Sequence, residues 1–219
     1  MLAAEAFVES IVRAEIALDH LLLGIADLSQ GIDWVQEQTG VRASMGGRHP
    51  GAGTRNALLS LGSRQYLEIL AIDPEQIQAG WMADLVRNVI IPRLVAWAVA
   101  VPEIDSVVRK AASAGYRIEG PNAGARLTPH GSELRWKTAR INSDLGNVIP
   151  FFIEWDRGIV HPSEDSPPAC RLERLEISHP EPSRVSEMLA NLAISASVSL
   201  ANTPGITALI DTPKGQVRI

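Results

Sequence analysis

The sequence predicts an α+β fold: two copies of a β-α-β-β-β unit, then a degenerate third copy of βαβ type. Three observations lead there. A strand-like run followed by a helix-like run ending at glycine occurs twice, at residues 16–40 and 94–115. Three more strand-like runs follow each of these. A weaker version of the same order begins at Arg171. The composition of the 219 residues suits one compact unit, with 46% apolar residues, 21% charged residues and a formal net charge of −5. Disorder and collagen-like structure are excluded on that balance.

The first copy spans residues 16–72, after an N-terminal extension (1–15) in which residues 1–14 read as a short amphipathic helix. It opens with the strand Ile16–Leu23. Asp27 or Ser29 then caps a helix that Gly40 ends. Strands are predicted at 41–48, 54–61 and 64–72. Residues 73–93 form a connector, with a helix possible over 76–89. The second copy, residues 94–156, opens with Leu94–Val101, continues as a helix from Glu103 to Gly115, and has strands at 116–119, 133–141 and 147–155. Residues 157–169 are proline-rich and polar, and read as a surface connection. The third copy fills 170–219, with a strand at 172–179, a helix entered at Pro182 and short strands around the turn at 213–215.

Charge and composition narrow the partners. There are 17 Arg but only 3 Lys, without a basic run, so a nucleic-acid partner is not expected. The longest uncharged apolar stretch, Leu94–Pro102, is far below the roughly 20 residues that cross a bilayer. Glu5 and Glu9 precede any cation, so no export signal is read and the expected compartment is the cytoplasm. Cys170, the single cysteine, precludes an internal disulfide and reads as a small buried hydrophobe.

Strand alternation sorts the chemistry-bearing side chains. The predicted inner face collects His20, Asn56, Tyr66, Glu68 and Glu154, with Phe152 beside the last. A carboxylate within Tyr66-Leu67-Glu68-Ile69-Leu70, and another within Phe151-Phe152-Ile153-Glu154-Trp155, is unfavourable unless paired, solvated or metal-bound. The two acids occupy the last strand of their copies. Arg48 and His49, in the glycine-rich stretch 46–53, are candidates to touch an anionic substrate. Trp97 and Trp136 are candidates to stack a ligand. The stretch lacks Gly-Lys-Ser/Thr and leads into a strand, so it is no P-loop. No Gly-x-Ser-x-Gly supports a hydrolase triad.

These residues resemble the vicinal oxygen chelate superfamily, the glyoxalase and bleomycin-resistance fold. Leu18-Asp19-His20-Leu21 and Tyr66-Leu67-Glu68-Ile69 are similar to its first- and fourth-strand ligand motifs. The stretch 47–56, Leu134-Arg135-Trp136, residues 150–155 and His161-Pro162 are similar to a bacterial glyoxalase-like subfamily. The resemblance implies paired βαβββ modules curving as a mixed sheet around a cavity. It implies metal ligands at His20, Glu68 and Glu154 for a divalent Zn, Mn, Fe, Co or Ni ion. The fourth ligand position falls near Ala96 or Trp97, where the sequence supplies no donor. The expected function is a metal-assisted lyase or isomerase acting beside a carbonyl. Glu154 would be the general base, and His49, Asn56, Tyr66, Trp97, Trp136 and Arg48 would bind a small-molecule substrate in a monomer or homodimer. The alternative is a metal-free protein that binds or sequesters a small ligand. In that case the inner face is a polar cavity where Glu68 pairs with Arg48, Arg135 or His49.

Overall fold

The computed structural model describes residues 17–77 and 80–219. The expected helix over residues 1–14 lies outside them. The first copy is β1 (Ala17–Gly24), α1 (Leu28–Thr39), β2 (Ser44–His49), β3 (Thr54–Ser60) and β4 (Tyr66–Ile72). A short helix, α2 (Trp81–Val86), lies in the connector. The second copy is β5 (Arg93–Ala100), α3 (Ile104–Ser113), β6 (Ile118–Leu127), β7 (Glu133–Ile141) and β8 (Phe151–Trp155). The third is β9 (Arg171–His179), α4 (Pro182–Asn191), β10 (Ser197–Leu200), β11 (Gly205–Thr212) and β12 (Gly215–Arg218). This is the expected α+β architecture. The helices form where caps and apolar spacing direct them. Asp27 accepts from the Gln30 N–H at the start of α1, and Gly40, at φ 81°, ends it.

Eight strands form one curved sheet in the order β2-β3-β4-β1-β5-β8-β7-β6, and four form a second, β10-β9-β11-β12. In each of the first two copies the opening strand runs parallel to the closing one, β1 with β4 and β5 with β8. The copies join through the antiparallel β1–β5 pair. The third copy is wired differently, since β9 pairs in parallel with β10 and antiparallel with β11.

The helices cover one face of the large sheet. There Leu21, Leu23, Leu59, Leu67, Ile69, Trp97 and Phe152 pack with the apolar sides of α1, α3 and α4. Each fully buried aliphatic side chain contributes about 1.5–3 kcal/mol. The inner face holds a second apolar cluster, Leu22, Leu70, Ala96, Ala98, Phe151 and Ile153, closed at one end by Val86 and Val89 of the connector. The sheet curls until its two edges meet. Arg126 on β6 donates to Gly46 O on β2. A side chain at Gly47 would put its Cβ 2.6 Å from Leu127 O, so the edges approach this closely only with glycine there.

Two local expectations change and a third holds only in part. Strand β6 extends to Leu127, well past Glu119, and pairs with β7 as far as Glu133. Residues 157–169 run along the surface as expected but dip inward part-way: His161, Ser163 and Ser166 are buried, and Pro167 O accepts the Ser60 N–H. The connector's helix is confined to Trp81–Val86 rather than spanning 76–89.

Candidate functional site

The inner-face polar residues gather on the first copy. Between Leu18 and His20, β1 slips register against β5, which places Asp19 as an extra residue. Such a bulge lets neighbouring side chains depart from strict alternation. Asp19 and His20 therefore meet: Asp19 Oδ1 lies 2.6 Å from His20 Nδ1. The other Asp19 oxygen accepts from Trp155 Nε1 at 3.0 Å and faces His161 Nε2 at 3.2 Å. His161 Nδ1 lies 2.8 Å from Ser163 Oγ.

The network continues through His20. Its Nε2 is 3.5 Å from Glu68 Oε2. The other Glu68 oxygen accepts from Asn56 Nδ2 at 2.7 Å. Asn56 Nδ2 also lies 3.2 Å from His49 Nε2, and His49 Nδ1 lies 2.9 Å from Thr54 Oγ1. Tyr66 stacks on His20 with ring centroids 4.6 Å apart. Trp136 meets His49 edge-on.

The electrostatics follow from this packing. Burial alone would raise the Asp19 carboxyl, but hydrogen bonds with His161 and His20 outweigh it and hold it well below the usual carboxylate range. Burial lowers the His49 imidazole, and the Glu68 carboxylate opposes this only in part. Burial holds the Tyr66 phenol well above its ordinary value, reinforced by Asp19 and Glu68. A carboxylate only accepts, so the His20 Nδ1 facing Asp19 carries a proton. That leaves His20 Nε2 and a Glu68 oxygen facing each other across 3.5 Å. A proton on either of them would turn this facing of two acceptors into an attraction.

Of the sequence-predicted residues, His20, His49, Asn56, Tyr66, Glu68 and Trp136 share this inner face. Three do not. Glu154 lies on the helix side, where its Oε2 accepts the Ile104 N–H at 2.7 Å and so closes the N-terminus of α3. The reason is register. Tyr66 pairs with His20, which pairs with Ala98, which pairs with Phe151. Tyr66 therefore corresponds to Phe151, and Glu68 to Ile153 rather than to Glu154. A shift of one residue reverses the face. Trp97 also belongs to the helix side, and its Nε1 donates to Val148 O at 2.8 Å. Arg48 alternates away from His49 and pairs with Glu75 at 2.6 Å on the connector.

The same register decides how a divalent ion fits. One donor from the first and last strand of each copy would be needed, and the four positions are His20, Glu68, Ala98 and Ile153. Two of them carry no donor atom, and Glu154 cannot replace them from the opposite face. The residues present do not fit the expected four-stranded metal site. Among the described residues no group of three or more His, Cys, Asp or Glu is arranged to hold a metal ion.

Four participants escaped sequence reasoning. Strict alternation would oppose Asp19 to His20, and only the bulge brings the two together. Trp155 alternates with Glu154 and so falls on the inner face with Phe151 and Ile153. His161, known from the sequence only through the His161-Pro162 resemblance, and Arg126, which carries no local signal, are brought in by long-range folding. Arg126 is buried and borders a cavity of about 470 Å³ that Gly46 and Leu58 also line. Leu58 is the cross-strand partner of Glu68, so the cavity abuts the polar cluster.

Comparison with known proteins agrees with this fold. The family described as "Glyoxalase-like domain" matches residues 18–193. A hypothetical protein from Staphylococcus aureus aligns over 93% of this chain and 98% of its own, with a TM-score of 0.72 and 14% identity. Methylmalonyl-CoA epimerase from Mycobacterium tuberculosis aligns over 64% of this chain and 86% of its own, with a TM-score of 0.44 and 21% identity. A variant of the Streptomyces coelicolor methylmalonyl-CoA epimerase aligns over 68% of this chain and 100% of its own, with a TM-score of 0.49 and 17% identity. No curated protein matches.

Proposed function

This chain belongs to the glyoxalase-like domain family of the vicinal oxygen chelate superfamily, and from that premise we propose that it is a small-molecule enzyme, a lyase or isomerase, that moves a proton at a carbon beside a carbonyl. The observation that carries the reading is the facing pair His20 Nε2 and Glu68 Oε2, 3.5 Å apart, with Asp19 fixing the imidazole from behind. One proton between two such groups is what an acid–base pair requires: one member takes a proton from carbon, the other returns it. Asp19 holds the His20 ring and tautomer, and Asn56 orients the Glu68 carboxylate. Tyr66, stacked on His20, and the surrounding tryptophans keep water out.

The base is thus Glu68 with His20 in place of Glu154. Metal assistance is not part of the reading, because His20 and Glu68 are the two donors that remain of the expected ligand set.

The test is exchange of carbon-bound hydrogen for deuterium. A panel of small 2-oxo and 3-oxo acids is incubated with the protein in D2O and followed by proton NMR. Exchange is expected at the carbon beside the carbonyl for at least one compound, and Glu68→Gln and His20→Ala should each slow it by about 10²–10⁴. Exchange unaffected by either substitution would overturn the assignment.

One observation favours the second reading, a protein that binds its ligand without turnover. His20 and Glu68 are only 2% and 4% exposed. Ligand-dependent tryptophan fluorescence with no exchange from any bound compound would support that reading over the first.

A further inference from the structure

Arg126 is, among the described residues, the only Arg or Lys buried in the protein, at 5% exposure. Its hydrogen bond goes to Gly46 O, and no carboxylate of the described residues forms an ion pair with it. A guanidinium offers five N–H donors, so most of its capacity is unspent. A buried charge left in that state is unfavourable unless something compensates it. Burial indeed lowers its proton affinity, with Tyr66, Glu68 and Asp165 opposing from a distance. The same side chain lines the 470 Å³ cavity beside the His20–Glu68 pair, a volume in the range of small-molecule sites.

The rest of the lining limits the ligand. Met45, Leu58, Leu134 and Val160 form apolar wall, and Met45 and Val160 remain 50% and 60% exposed at its rim. Glu133, Asp156 and Asp165 also line the cavity, opposed by Arg126, Arg135 and Arg157, and Arg135 pairs with Glu133. These balanced charges disfavour a multiply charged anion such as phosphate. They leave a single planar carboxylate, which matches the guanidinium fork.

We propose that this cavity binds a singly charged carboxylate with a short aliphatic chain, Arg126 gripping the carboxylate while Met45, Leu58 and Val160 cover the chain. The assignment rests on the proton-transfer reading for the class of substrate it names, but the binding itself is measured without turnover.

The experiment is calorimetric titration of the full chain with hexanoate, hexanamide and inorganic phosphate. Hexanoate is expected to bind at least about tenfold more tightly than either of the others, the scale of one charge-assisted hydrogen bond. Arg126→Gln should remove that preference, while Arg126→Lys, which keeps the charge, should retain part of it. If Arg126→Gln fails to fold by circular dichroism, Val160→Glu at the exposed rim is the second probe. It should weaken hexanoate about tenfold more than it weakens hexanamide, since both lose the same apolar cover and only hexanoate meets the added charge. Equal binding of hexanoate and hexanamide, tighter binding of phosphate, or no binding of hexanoate would overturn the proposal. Glu68→Gln separates the two readings, because it should abolish exchange yet still bind hexanoate. Hexanoate binding lost together with persistent exchange would sink the cavity assignment alone.

Discussion

The two halves of the eight-stranded sheet share one wiring plan and differ in what they bury on the inner face. In the first half, β1 and β4 present His20, Tyr66 and Glu68, joined by Asp19 from the bulge. In the second, the matching positions on β5 and β8 are Ala98, Phe151 and Ile153, with no polar side chain among them. The second half supplies instead a wall: Phe151 packs edge-on against His20. Its one acid on β8, Glu154, has been turned to the helix side, where it caps α3. A duplicated fold thus keeps its shape while the paired opening and closing strands of one copy carry the acid–base groups and those of the other carry packing.

The sharpest way to break this comparison is to remove Asp19. Asp19→Ala leaves His20, His161 and Trp155 Nε1 facing a buried gap. Urea unfolding should show a loss of about 3–5 kcal/mol, as for one partner taken from a buried charged pair. A loss below about 1 kcal/mol would mean that the network is incidental to folding.

Acid titration sharpens the same point. The folded Asp19 carboxyl lies below its unfolded value near 3.9. Its stabilisation is therefore complete above that value and is lost as pH falls through it toward the folded value. The buried His49, whose proton affinity is lowered, costs stability as pH falls below its unfolded value near 6.5, so thermal stability should ease below about pH 6.5 and decline further below about pH 4 as Asp19 takes up its proton. Hydrogen exchange in that decline should rise first in β1 and residues 157–169, not in β5 and β8. Asp19→Asn should remove the Asp19 part of the slope; an unchanged slope would assign the acid sensitivity elsewhere.

A smaller effect is expected at Glu154. Glu154→Ala removes an acceptor from the α3 N-terminus, where the preceding residue, Glu103, makes no side-chain cap of its own. The expected cost is about 0.5–2 kcal/mol in chemical unfolding. A loss as large as that of Asp19→Ala would contradict the division between the halves.

The comparison also shows what the sequence could and could not reveal. Repeats, caps and apolar runs are local, and they made the α+β modules legible. Alternation along β3 and β4 placed Asn56, Tyr66 and Glu68 correctly, because no bulge interrupts them. It fails where the backbone breaks period two or where the register between two distant strands is not fixed by either one's own sequence. Matching the acids of Tyr66-Leu67-Glu68 and Phe151-Phe152-Ile153-Glu154 set the second half one residue out of phase. Matching the aromatic residues Tyr66 and Phe151 would have placed Glu154 beneath α3. Arg126 and His161 lie far from the cluster in sequence, and only the curl of the sheet and the inward fold of residues 157–169 bring them to it.

The most direct measurement compares two glutamates in one assay. Deuterium exchange beside a carbonyl is timed for the wild type, Glu68→Gln and Glu154→Gln with the same 2-oxo or 3-oxo acid. The expected result is a drop of at least about 10² for Glu68→Gln and a rate near wild type for Glu154→Gln. Equal losses in both variants, or a loss confined to Glu154→Gln, would contradict an acid–base pair supplied by the first half.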